Sequence, residues 1–141
     1  MKYTILFLTL VTLVLVSCKK HKHENSAPKP DYCGTYKGAM IQNGPGPISN
    51  IPLGEQEFVV TNSGDNKITL EFKLLQMTVD ANMDGGNFII IPVDLNYMGN
   101  TVTVSGDGSF NNGMMQVNWK QALTISGIDV ETVSSGNLKK E

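Results

Sequence analysis

Two cysteines and two histidines are the first residues in this chain with chemistry to offer. Cys18, His21, His23 and Cys33 lie in one short stretch, LVSCKKHKHENSAPKPDYCG. Such a set reads as a disulfide, as half of a metal site, or as unrelated residues. His21 and His23 stand only two positions apart, lysines surround them and no third ligand is near, which argues against a metal site. A second candidate is Asp80-Ala81-Asn82-Met83-Asp84-Gly85, which reproduces the first half of a calcium loop, with Asp80, Asn82 and Asp84 as oxygen ligands. The twelfth position of that loop, where a bidentate glutamate belongs, is Ile91. The same Asp/Asn/Gly composition also makes ordinary hairpin turns.

The residues around Cys18 decide between the remaining readings. Lys2 is followed by Tyr3 to Val16, apolar except for Thr4, Thr9 and Thr12. This run is shorter than the roughly 20 residues a membrane-spanning helix needs, and residues 1–17 read as a signal peptide. Its end, Leu15-Val16-Ser17-Cys18, resembles the bacterial lipobox. The resemblance implies that the Cys18 thiol carries diacylglycerol, that cleavage precedes it and that the new amino terminus is acylated. A thioether cannot pair with Cys33. Cys33 is then expected as a small buried side chain where the first strand begins, or else as a reactive thiol. Lys19, a basic residue after the cysteine, points by the same resemblance to the outer membrane, on its periplasmic or its surface face.

Residues 18–31 are expected to be a tether. The run KKHKHENSAPKP has no large apolar side chain, so it buries nothing to offset its ordering entropy. Its lysines suit anionic headgroups. The remainder, residues 32–141, is the size of one small domain. Counted from Asp31, it holds six lysines against seven aspartates and five glutamates, a net charge of 6 − 12 = −6. That balance excludes nucleic acid as a partner. The chain has no arginine, and no histidine follows His23. The commonest general base, the commonest zinc ligand and the bidentate anion clamp are therefore missing from the domain. We expect neither an enzyme nor a cofactor.

Any site must be positioned by strands. Ile68, Leu70 and Phe72 alternate with Lys67, Thr69, Glu71 and Lys73. Ile89, Ile91, Val93, Leu95 and Tyr97 share one parity, and Met115, Val117, Trp119, Leu123 and Ile125 another, with Gln121 the polar exception. Turn signals separate the runs at Ser63-Gly64-Asp65-Asn66, Gly99-Asn100 and Asn112-Gly113. The pattern predicts about eight strands, near 33–42, 55–61, 67–73, 75–79, 87–97, 100–106, 113–125 and 128–134, with residues 136–141 frayed. The expected fold class is all-β, an antiparallel up-and-down barrel of about eight strands, with a β-sandwich as the alternative.

Gly34-Thr35-Tyr36-Lys37-Gly38, Asn87-Phe88-Ile89-Ile90-Ile91-Pro92 and Val104-Ser105-Gly106-Asp107-Gly108 resemble segments of the small lipocalin-like (calycin-like) barrels of bacterial lipoproteins. Lipocalins proper carry Gly-x-Trp on the first strand under a stacking arginine. This chain has Gly34-Thr35-Tyr36 and no arginine. The resemblance implies that the Gly/Pro-rich connection Asn43 to Gly54 covers an open mouth where an apolar ligand enters. Met40, Ile48, Ile51, Leu53 and Trp119 are the candidate lining residues. Met40, Trp119 and the other methionines read as plain core first and as pocket lining second. The expected function is a lipid-anchored envelope protein holding a small apolar ligand. The alternative is an interaction lipoprotein with a filled core, acting on another envelope protein.

Overall fold

The computed structural model describes residues 31–97, 99–125 and 127–141, with Tyr97 and Ile125 as backbone. The expected signal peptide, Cys18 and the tether up to Pro30 lie outside the described residues. Asp31 to Glu141 form one compact unit.

Eight strands follow one another: β1 (Gly34–Asn43), β2 (Ile51–Gly64), β3 (Lys67–Phe72), β4 (Met77–Asp84), β5 (Asn87–Tyr97), β6 (Asn100–Asn111), β7 (Met114–Ile125) and β8 (Ile128–Lys140). Each pairs antiparallel with the next, and β8 returns to pair with β1, so the sheet is a closed up-and-down barrel. Closure settles the choice against a sandwich, whose two sheets would each keep edges.

The strands form because their apolar residues fall on one side of the pleat. Phe58 and Val60, Ile68, Leu70 and Phe72, Val79 and Ala81, and Met115, Val117 and Trp119 all point inward and are buried. Outward positions are polar and often paired across strands. Thr69 donates to Asp80 at 2.8 Å, Thr103 to Asp94 at 2.6 Å and Thr124 to Asp129 at 2.6 Å. Asn112 and Gly113 both have positive φ, 49° and 75°, as a two-residue hairpin turn matching strand twist requires.

Four strands exceed their expected length. β2 begins at Ile51, inside the Gly/Pro connection, and only residues 44–50 are loop. The register slips between Met40 and Ile41, and this bulge admits Pro52 at a point where the ladder is already broken. β4 runs on to Asp84 and β6 to Asn111. The carboxy-terminal residues are paired rather than frayed. β8 reaches Lys140, whose N–H donates to the Gly113 carbonyl at 2.7 Å, and the Glu141 N–H donates to Thr35 at 3.0 Å. A second slip between Ile90 and Val93 resets the inward parity of β5. Ile89 and Ile91 therefore face out, while Phe88 and Ile90 face in.

Glycine makes room for the largest of these side chains. Phe88 lies opposite Gly108 in the register, and a Cβ there would overlap the Phe88 ring and the Gln116 carbonyl oxygen. Met40 lies opposite Gly136, where a Cβ would come 2.6 Å from Met40 Cγ. Close interior packing makes such overlaps destabilising.

The alternation of strand direction gives the barrel two distinct ends. One end holds the turns at residues 65–66, 85–86 and 112–113, together with the start of β1 and the end of β8. Here Tyr32 stacks on Phe110 at 4.8 Å, and Phe88 and Tyr36 pack on the same ring at 5.1 and 5.5 Å. The Tyr36 hydroxyl donates to the Tyr32 carbonyl at 2.9 Å. Burial, followed by the negative charges of Asp31, Cys33 and Tyr32, raises the Tyr36 phenol above its ordinary value of 10.0. A raised folded-state pKa contributes stability that is complete below pH 10.0 and is lost as pH climbs through the folded value. In an absorbance titration at alkaline pH, Tyr36 should ionise above pH 10.0, together with unfolding. Tyr36→Phe should lose about 0.5–1.5 kcal/mol at neutral pH with its hydrogen bond. It should also flatten the fall in stability above pH 10.0; an unchanged alkaline limb would contradict the assignment.

Candidate ligand site

The other end of the barrel holds the loop at residues 44–50, the turn at 73–76, Gly99 and Gly127. The inward positions near this end are only half-buried. Leu53, Met77, Val93, Leu95 and Val102 pack against the core while keeping part of their surface exposed. Leu123 and Val130, opposite each other on β7 and β8, share that state. At the first end Tyr36, Phe88, Met115 and Leu138 are no more than 2% exposed and Phe110 is 8% exposed, while Met83 and Tyr32 are half-buried against the core. One end of the barrel is thus plugged with aromatic rings, and the other is an aliphatic mouth.

Below the mouth lies Trp119, 1% exposed. Phe58 and Phe72 stack on each other at 4.4 Å, and both meet the indole edge-on, at 5.7 and 5.3 Å. This arrangement suits the quadrupoles of the rings. The indole Nε1 is buried and has no hydrogen-bond partner. Its cross-strand neighbour on β8 is Ser134, which is buried, and Ser134 also pairs with Gln42 on β1. One step nearer the mouth, Gln121 faces Thr132. Gln56, also buried, donates through Nε2 to the Leu53 carbonyl at 2.6 Å. Gln42, Gln121 and Thr132 are half-buried. A layer of uncharged polar groups therefore separates the aromatic core from the aliphatic mouth.

The sequence-based candidates divide along this axis. Met40 and Trp119 belong to the buried core, and Leu53 belongs to the mouth wall. Ile48 lies in the loop close to Gly44, which also borders the Thr132 methyl group, so it sits over the mouth. Ile51 starts β2 with its side chain exposed. Asp80, Asn82 and Asp84 fall on β4, in extended backbone rather than in a loop, with the Asp80 carboxylate bonded to Thr69. Such a strand spaces them along its length instead of wrapping them round an ion. Cys33 is a free, half-buried thiol just before β1, its N–H donating to Asp31 Oδ1 at 2.9 Å.

Sequence reasoning did not single out Ser134, Gln56, Thr132 or Gln42. The available signal was Gln121, a polar residue on an otherwise apolar parity; extending that test to β1, β2 and β8 finds the rest. An open concavity of about 580 Å³ also lies at this end, against Thr101, Thr103, Leu123, Thr124, Asp129 and Val130 among others, and two of its hydroxyls are already bonded to Asp94 and Asp129. No protein-family model, curated protein or solved structure matches the chain.

If the barrel is plugged at one end only, the two ends should differ in their response to truncation. Leu138→Ala, at the plugged end, should cost about 2–5 kcal/mol in denaturant unfolding. Leu123→Ala, at the mouth, should cost less than about 1 kcal/mol, because its side chain already meets solvent. Equal losses would show a barrel filled from end to end.

Proposed function

We propose that this protein is a lipid-anchored binding protein of the bacterial cell envelope that holds a small apolar or amphipathic ligand in its barrel mouth. The observation carrying this reading is the asymmetry of the interior, with half-buried aliphatic walls at one end and a plug of aromatic rings at the other. Concave, mostly apolar surfaces with a few convergent polar groups are the ordinary form of a small-molecule site. Two features of the sequence support binding over catalysis: the domain has no histidine and the chain no arginine. The eight-stranded barrel is compatible with a lipocalin-like fold, and the anchor rests on the lipobox-like Leu15-Val16-Ser17-Cys18.

A second reading, an interaction lipoprotein acting on another envelope protein, draws on the apolar side chains that remain exposed at the mouth end. Leu74 in the β3–β4 turn and Ile128 at the start of β8 are 60% and 67% exposed. Such side chains suit a protein surface as well as a ligand portal.

Native mass spectrometry of the purified full chain should find a co-purified small molecule, and an added apolar fluorophore should take up energy from Trp119, the sole tryptophan. Val102→Lys in the mouth should abolish that transfer without unfolding the barrel. A protein that carries nothing, binds no fluorophore and instead captures an envelope protein through Leu74 and Ile128 would favour the second reading. For the anchor, metabolic palmitate labelling should be lost in Cys18→Ala and retained in Cys33→Ala. The reverse would remove the lipoprotein assignment.

A further inference from the structure

The polar layer beneath the mouth allows the ligand class to be narrowed. Resting on the reading of the mouth as a binding site, we propose that its ligand is an uncharged amphiphile. It enters polar end first and accepts a hydrogen bond from the indole N–H of Trp119.

Three observations converge on this. First, Trp119 Nε1 is buried without a hydrogen-bond partner. An indole nitrogen can only donate, so the group it needs is an acceptor. A buried donor left unmet is costly, and a ligand that meets it gains correspondingly.

Second, Trp119 pairs with Gly106 on β6, and the polar side chains around it on β7, β8 and β1 are neutral hydroxyls and amides. Ser134 is directly across from Trp119, with Gln121 and Thr132 one step above and Gln42 beside Ser134. These groups both donate and accept, which suits a carbonyl, hydroxyl or amide head.

Third, the inward positions between Trp119 and the rim carry no charge among the described residues. They are aliphatic, methionine or neutral polar, and the chain has no arginine. The nearby carboxylates of Asp94 and Asp129 face outward, bonded to Thr103 and Thr124. An ionised head group placed beside Trp119 would be taken from water without a counter-charge, which disfavours fatty carboxylates and alkylammonium ions. A pure hydrocarbon would fill the aliphatic mouth and leave the indole unmet.

The chain contains one tryptophan, so the ¹⁵N-labelled full chain in lipid nanodiscs has one tryptophan indole resonance to follow. Octanamide, octanoate at neutral pH and octane serve as probes, with empty nanodiscs as the partitioning control. Octanamide should shift the indole N–H downfield and bind about ten-fold tighter than octanoate. Trp119→Phe keeps an aromatic ring against Phe58 and Phe72 but removes the donor. It should weaken octanamide about ten-fold while leaving octane binding in place. If Trp119→Phe does not fold, the indole shift in the unmodified chain decides the matter alone. Binding of none of the probes would overturn the binding-site reading, and this inference with it. Octane binding as tightly as octanamide with the indole unmoved, or octanoate binding tightest, would overturn this inference and leave the binding site standing.

Discussion

Eight strands that each show one apolar face are stable only if those faces meet, and the pairing of β1 with β8 is what makes them meet. Met40 comes opposite Gly136, Gln42 opposite Ser134 and Tyr36 opposite Lys140. With that seam made, the sheet has no edge and every inward side chain shares one interior. The rest of the molecule depends on it, because strict alternation in a strand leaves each residue only two environments.

The same closure gives the two surfaces opposite chemistry. The inside is apolar, while the outside carries threonines, aspartates, lysines and glutamates. Membrane-spanning barrels present the reverse, an apolar band outward and a polar lumen inward. The outward ion pairs are open to solvent in part: Lys37 meets Glu57 at 3.4 Å and Glu141 at 2.9 Å, and Lys73 meets Glu71 at 2.7 Å. Pairs of this kind contribute little individually. Stability is therefore carried by the interior. Its two aromatic groups, around Phe110 and around Trp119, fill the plugged end and the middle of the barrel.

Against that background the neutral polar layer above Trp119 is a departure from the simplest stable core. Buried Ser134, Gln56 and the unmet indole would all be replaced by apolar groups if packing were the sole constraint. Local conflicts of this sort tend to mark functional positions. Here Trp119 and Ser134 pair across β7 and β8 below the half-buried aliphatic mouth, which is where a ligand's polar end would rest.

Much of the architecture was legible in the residues themselves. The alternation at 67–73, the turns at Asn112-Gly113 and Gly99, and the strand limits at 87–97 and 128 follow from period-two patterning and from backbone conformations that few residues tolerate. Local rules misjudged the glycine- and proline-bearing segments. Ile51 to Gly54, Gly108 to Asn111 and Gly136 to Lys140 look like loop or frayed end, yet they are strand, because partner strands and bulky neighbours make use of the missing side chains. Parity across a bulge was equally hidden: Ile89 and Ile91 share a parity with Val93 and Leu95, but the slip before Val93 puts them on opposite faces. The sequence by itself thus determined the strand periodicity, the polarity of the two faces and the lack of arginine and, beyond His23, of histidine, since these are properties of residue type and spacing. Only the tertiary structure decided that the sheet closes, that one end is plugged and the other half-open, and that Trp119 lies opposite Ser134 in the register. Those depend on register between segments far apart in the chain, which no local pattern encodes.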